Sequence, residues 1–314
     1  MKAIKVKNQT TGRREFISMI SAAAAMGLIS TTGVKAASLT DLSGDNGVYF
    51  QPKIPTIALG PHQVSRLIVG SNPILGYSYL GNHTDKQMKE YFTPKRTVEF
   101  LHDCEQAGIT THQGSSRFDY LRLLRDQGSK MKIICLSSDR KEISQTIENT
   151  NPIAMVHHGG VTDRMFAEGK SNVVRDYVKA VKDSGLLAGV SAHNPDVIKQ
   201  IADEDWGVDF FMTCFYFLTR KLDKAKLPAL PVGDYSFFKD DPKAMTKVIR
   251  QVKQPCLAFK ILGAGRLCSN EETVRSAFQF AFGNIKPTDG VIVGMFPRYF
   301  DEIGANAQYA RELG

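Results

Sequence analysis

The sequence predicts a closed (β/α)8 barrel of the TIM type, with a hairpin at its N-terminal end and a long loop after its sixth strand. Three observations point to this α/β fold. Eight short apolar runs alternate with segments whose apolar residues recur on one helical face. No Pro/Ser-rich linker divides the chain. No GxGxxG follows the first run, so the open doubly wound sheet, which shares the βαβα rhythm, lacks its phosphate-binding turn.

Residues 1–36 stand apart from that rhythm. Lys2, Lys5, Lys7, Arg13 and Arg14 precede a moderately apolar run from Phe16 to Ile29, and Val34-Lys35-Ala36 supplies a small-residue ending, the three-part layout of an export signal. The run is too short and too rich in Ala, Gly and Ser to span a bilayer, which takes ~20 strongly apolar residues. The string Thr11-Gly12-Arg13-Arg14-Glu15-Phe16-Ile17 resembles the bacterial twin-arginine export motif. Expected are cleavage after Ala36, a linker over 37–53, a barrel over 54–314 and a periplasmic address reached through the twin-arginine export machinery. No stable membrane span is expected after cleavage. Because that route carries folded proteins, a cofactor loaded in the cytoplasm would give a reason to use it.

The formal net charge of +8 belongs largely to the same segment, which holds six Lys or Arg and one acidic residue, Glu15. The remaining chain is near +3 with no Lys/Arg block, so nucleic acid is not an expected partner. Cys104, Cys135, Cys214, Cys256 and Cys268 are odd in number, widely spaced and without a CxxC pair. They are expected mostly as free thiols that behave as small buried hydrophobes.

Taken in order, Ile54 to Gln63 reads as a hairpin around Gly60-Pro61, followed by strands at Val64–Gly70, Ile109–His112, Met131–Leu136, Ile153–His157, Leu186–Ser191, Val208–Cys214, Cys256–Lys260 and Gly290–Gly294. Between them, Val98, Leu101, Cys104 and Ala107 share one helical face, as do Val173, Val174, Tyr177, Val178 and Val181, and again Val274, Ala277, Phe278 and Ala281. Ser269 with Glu272 predicts a capping box for the last of these, and Gly108 and Gly185 stop helices just before strands. Phe215 to Asp240, polar, aromatic and Pro-bearing, is out of scale as a connection and is expected to cover the barrel mouth.

Barrel chemistry lies where strands end. Four of the seven histidines, His112, His157, His158 and His193, fall at strand C-termini together with Gln113. These five are the expected catalytic set, with His157 foremost. As neutral imidazoles they could also hold a transition metal, completed by Asp139 or Gln113, although no HxH or HExxH spacing is present. Lys260, the Gly263-Ala264-Gly265-Arg266 turn and Arg298 lie after strands seven and eight, where backbone N–H groups and guanidinium charge can hold phosphates. Asn72, Tyr77, Asn194 and Tyr216 supply the amides and aromatic faces that suit a sugar or other small polar substrate.

The order of these pieces is similar to the aldo/keto reductase family over about residues 54 to 312. The resemblance rests on Leu59-Gly60, Val64 to Gly70, Gly108-Ile109, a His ending strand four, Gly189-Val190-Ser191, Lys260 with Gly263-Ala264-Gly265-Arg266-Leu267, and Val293-Gly294-Met295 followed by Arg298, Asp301 and Ala305-Asn306. The resemblance implies an NADP(H)-type cofactor held in part by Asn306, and a site built from Asp, Tyr, Lys and His. Only His157 matches that set. Gln113, Phe118 and Ser137 stand where the resemblance puts the Asp, Tyr and Lys, and Tyr120 or Tyr77 is the substitute proton donor. The expected function is therefore a diverged enzyme acting on a small polar substrate at a histidine-rich mouth. A periplasmic oxidoreductase with tightly held NADP(H) and a non-catalytic ligand-binding barrel are the alternatives.

Overall fold

Gly60 adopts φ 55, the positive angle that a two-residue hairpin turn demands, and so joins β1 (Thr56–Leu59) to β2 (His62–Ser65) in an antiparallel pair. In this computed structural model the described residues are 53–115, 119–222 and 235–314. The export segment, all of the linker except Lys53, Phe118, and positions 223–234 of the long loop lie outside them.

The chain then enters the barrel. Strands β3 (Leu67–Gly70), β4 (Thr111–Ser115), β5 (Lys132–Ser137), β6 (Ala154–His157), β7 (Leu187–Ala192), β8 (Phe210–Cys214), β9 (Cys256–Phe259) and β10 (Gly290–Val293) are all parallel. They close in the order β10-β3-β4-β5-β6-β7-β8-β9. All eight expected strands are present. The first starts later than expected, because Val64 and Ser65 belong to the hairpin. Arg66 marks the corner, its Nε donating to the Asp289 carbonyl at 2.9 Å and its Nη2 to the Lys286 carbonyl at 3.1 Å.

Helices α1 (Asn82–Tyr91), α2 (Pro94–Gln106), α3 (Asp119–Asp126), α4 (Ile143–Thr150), α5 (Gly159–Ala167), α6 (Ser171–Asp183), α7 (Pro195–Asp203), α8 (Asp241–Ile249), α9 (Glu271–Asn284) and α10 (Glu302–Leu313) are the helices among the described residues, and most lie between successive barrel strands. Gly108 at φ 93 and Gly185 at φ 83 follow α2 and α6, as their positions predict. The capping box of α9 sits one residue later than expected. Asn270 accepts from the Thr273 N–H and Thr273 answers it, because Ser269 lies outside the first turn.

Two apolar layers result. Ile68, Ile134, Ala154, Val156, Phe210, Met212, Leu257 and Ile292 fill the barrel, and Ile57, Leu59 and Val64 of the hairpin complete this inner cluster at its N-terminal end. Gly189 lies opposite Phe210, where any Cβ would come within 2.6 Å of the Phe210 ring. The glycine is what admits so large a ring. The outer layer, between strands and helices, includes Val69, Ile133, Cys135, Met155, Ala188, Val190 and Phe211. Cys104, Cys135, Cys214 and Cys256 are free and buried, and Cys268 is free and exposed. Among the described residues no helix is long and apolar enough to cross a membrane.

Strand alternation decides the direction of the histidines. His112 pairs in register with Val69 and Ile133, and His157 with Val190, all outer-layer residues. Both rings therefore point outward beneath helices and are fully buried. His112 joins the Val69 carbonyl at 3.0 Å and the Tyr120 hydroxyl at 2.9 Å. His157 Nδ1 meets Thr162 Oγ1 at 2.7 Å, its ring lies edge-on to Tyr177, and its Nε2 has no partner among the described residues. The expectation that these two rings stand at the mouth is thus corrected, for a reason of period: an even step along a strand keeps a residue on its neighbour's face.

Burial pushes both imidazoles down to about 4, against ~6.5 in an unfolded chain. As pH falls, the unfolded chain takes up protons first. The stabilisation from each neutral ring is therefore fully present above about pH 6.5 and is lost toward pH 4, on the order of 3 kcal/mol apiece. Unfolding measured across that window should show a steep acid loss, and His157→Gln, which cannot titrate, should flatten it. A pH slope identical in the variant would show that His157 is not held neutral.

Candidate functional site

The residues that do face the mouth continue the inner rows. Gln113 pairs with Gly70 and Ile134, is buried, and donates from Nε2 to the Gly114 carbonyl at 2.8 Å, while its amide oxygen has no hydrogen bond among the described residues. His158, one residue past His157, is turned the other way: it is exposed, occupies the N-cap position of α5 and makes no side-chain bond to that helix. Ser191 pairs with Met212 of the inner cluster. His193 follows two residues later.

His193 is fixed by Asp163, a residue in the second turn of α5. Asp163 Oδ2 accepts from the His193 backbone N–H at 3.0 Å, from Nδ1 at 3.0 Å and from Thr219 Oγ1 at 2.9 Å, and Oδ1 accepts from the Asn194 N–H at 3.3 Å. A carboxylate on Nδ1 selects the tautomer with hydrogen there and leaves Nε2 as the acceptor. The His193 side chain keeps 11% exposure and Asp163 only 5%, so the orienting group is dry while the ring still meets solvent. The Phe259 ring stands edge-on to it at 5.7 Å.

Across the mouth, Lys260 directly follows β9 and has φ 59. Its Nζ lies 4.2 Å from the centre of the Tyr79 ring and 5.0 Å from that of Phe259. Tyr79 and Ala264 also adopt positive φ, 60 and 51, a conformation costing roughly 1–2 kcal/mol for a residue with a Cβ. Three such residues around one opening show backbone strain concentrated at the site. His158 is held below its usual value, first by the walls that desolvate it and then by the nearby His193 and Lys260.

A cavity of about 540 Å³ opens beside Lys260, Phe259 and Tyr79, and neither His158 nor His193 is part of its lining. Of the expected cofactor residues Lys260, Gly265 and Asn306 line it, as do Asn72, Tyr77 and Gln113. Gly263, Arg266 and Arg298 do not. Arg266 donates to the carbonyls of Gly263 and Tyr79 at 3.2 Å each and lies 3.8 Å over the Phe237 ring, while Arg298 stacks on Tyr299. Both guanidinium groups are thus committed away from the cavity. Glu271 and Glu302 add carboxylates to its wall. Asn306 is buried and makes no side-chain hydrogen bond among the described residues, which leaves its amide available to a ligand.

Other expected positions serve the fold. Asn194 caps α7, its side chain accepting from the Asp196 N–H at 3.0 Å, which takes it out of the substrate wall. Tyr216 is buried against Phe237. Tyr120 is spent on His112, and Ser137 faces outward and donates to Glu142 at 3.0 Å, so neither replaces a family residue at the mouth. With His112 and His157 turned away, no group of three or more His, Cys, Asp or Glu among the described residues is placed to hold a metal ion. Sequence reasoning missed Asp163 and Tyr79. The one available signal was the spacing of Asp163 from His158, which returns a carboxylate toward the strand end that the histidine leaves.

No protein-family model matches the chain, and no curated protein matches it. Solved structures do. An aldo-keto reductase from Bacillus halodurans in its holo form is 11% identical, with a TM-score of 0.52, covering 82% of this chain and 91% of that one. The glycerol dehydrogenase from Gluconobacter oxydans is 12% identical with a TM-score of 0.49, covering 82% and 90%. The N-acetylmannosamine-6-phosphate 2-epimerase from Clostridium perfringens is 13% identical with a TM-score of 0.44, covering 73% and 85%. At these identities the likeness is one of fold: a (β/α)8 barrel of the kind found in the Bacillus halodurans aldo-keto reductase.

Proposed function

We propose that the protein is an enzyme that transfers a proton at a small polar carbonyl compound of sugar type, with His193 as the acid–base group. The observation that carries this reading is the Asp163–His193 pair, in which a buried carboxylate fixes Nδ1–H and leaves Nε2 as the acceptor. Lys260 and His158 flank the oxygen on which charge develops, an ammonium and a neutral donor working in a partly water-excluded mouth. Asn72, Tyr77 and Gln113 line the adjoining cavity and are assigned to the rest of the substrate. Offered a panel of hydroxy- and oxo-sugars in deuterated water, the protein should exchange a carbon-bound proton of at least one member. His193→Gln should slow that exchange by ~10²–10⁴-fold, the usual worth of general acid–base catalysis. Exchange persisting undiminished in His193→Gln would defeat the assignment.

The cavity supports a second reading, an oxidoreductase with a tightly held nicotinamide cofactor. Its volume and the Asn306 amide, unbonded among the described residues, suit a nucleotide, and among the described residues Lys260 is the one cation in its lining. A bound nicotinamide would supply hydride transfer. Against this stand Glu271 and Glu302 in the wall and two arginines occupied elsewhere, where phosphates would require free positive charge. Protein purified from the cytoplasm should accordingly lack nicotinamide absorbance; a stoichiometric nicotinamide signal would put this reading first.

We also propose export to the periplasm by the twin-arginine route, supported by Arg13-Arg14 ahead of the apolar run. Replacing both by Lys should abolish the periplasmic fraction, and an unchanged yield there would refute it.

A further inference from the structure

We propose that the cavity wall carried by α10 is a subsite for a protonated amine, so that the substrate is an amine-bearing carbonyl compound of sugar type whose amine lies away from the reacting carbon. This deepens the reading in which the cavity takes the rest of the substrate, and rests on it.

The spacing of residues on α10 supplies the wall. Glu302, Ala305, Asn306 and Tyr309 stand at i, i+3, i+4 and i+7, so they share one helical face, and all four line the cavity. Asn306 is 4% exposed and Tyr309 8%, yet neither the amide nor the hydroxyl makes a hydrogen bond among the described residues. Polar groups so deeply buried ordinarily have a partner. The space that both of them border is the cavity.

Charge is an independent observation. Glu302 Oε2 accepts from the Phe296 N–H at 2.8 Å, and the other carboxylate oxygen has no partner among the described residues. Burial holds this carboxyl above its ordinary value, opposed by that one amide and by no lysine or arginine among the described residues. A cation placed beside it would favour the ionised form. The first turn of α10 suits a carboxylate, but it does not account for the unbonded amide and hydroxyl that follow on the same face. Glu271 adds a second carboxylate to the lining, while Lys260 is turned onto the rings of Tyr79 and Phe259.

These groups select the ligand. An ammonium brings positive charge and three N–H donors, for which the Glu302 carboxylate, the Asn306 amide oxygen and the Tyr309 hydroxyl oxygen are acceptors. A hydroxyl in the same place would leave the carboxylate without a counter-charge, and a phosphate would meet like charge. Because neither His158 nor His193 lines the cavity, the amine belongs further along the molecule than the reacting carbon, as in a sugar aminated at its far end.

The test is calorimetric titration of the full chain with 6-amino-6-deoxyglucose, glucose and glucose 6-phosphate, sugars that differ only in the group on the last carbon. The amino sugar should bind about tenfold more tightly than glucose, and the phosphate more weakly than either. Glu302→Gln keeps an oxygen for the Phe296 N–H and removes the charge; it should make the amino sugar and glucose bind alike with an unchanged melting temperature. Because that change touches the start of α10, Asn306→Ala serves as the second variant, with severalfold weaker binding of the amino sugar. No saturable binding of the amino sugar, equal binding of glucose, tightest binding of the phosphate, or an undiminished preference for the amine in both variants would overturn the subsite. Binding is read without turnover, so the two readings fail separately. An amine preference that Glu302→Gln abolishes, in a protein that exchanges no proton of any sugar, removes the acid–base reading and leaves the subsite standing; proton exchange lost in His193→Gln, in a protein without amine preference, does the reverse.

Discussion

Everything in this molecule depends on the two-residue period of strands closed into a ring. Closure leaves two environments at each strand, the filled interior and the layer beneath the helices, and each residue along a strand must take one or the other. The consequence is sharpest at His157 and His158. The first is sealed against Tyr177 and Thr162 and works as a neutral packing group, while the second opens into the mouth. A one-residue slip of β6 would exchange their roles.

On that frame the site is assembled from pieces far apart in sequence. The α5 helix contributes Asp163 from its second turn, so a rigid element that follows β6 sets the tautomer of a ring that follows β7. Lys260 is placed by a different device. Its left-handed backbone breaks the strand and turns the ammonium onto the Tyr79 ring, and Arg266 in turn anchors the Tyr79 carbonyl. Strain is stored on the side that places a charge, and hydrogen bonding on the side that orients a base.

Much of this was legible in the sequence. Eight apolar runs and the glycine stops at Gly108 and Gly185 come from short-range physics, burial period and positive φ, and the structure has them at those places. The direction of each strand-end side chain is a different matter, because it depends on where a strand begins relative to its neighbours. An offset at Val64 or Thr111 is invisible in a single apolar run, and with it the outward turn of His112 and His157. Asp163 was hidden for another reason. It lies on a helix, three to five residues from the groups it serves or faces in sequence at one end and thirty at the other, and only the fold brings it to His193.

The hairpin has a consequence for traffic. With Ile57, Leu59 and Val64 packed into the interior cluster, the barrel is stoppered at the end where its strands begin. A molecule that reaches Lys260 and His193 has arrived through a single doorway, and whatever is made there must leave by it. Entry and departure then compete for one passage, and a lingering product keeps the next molecule waiting outside.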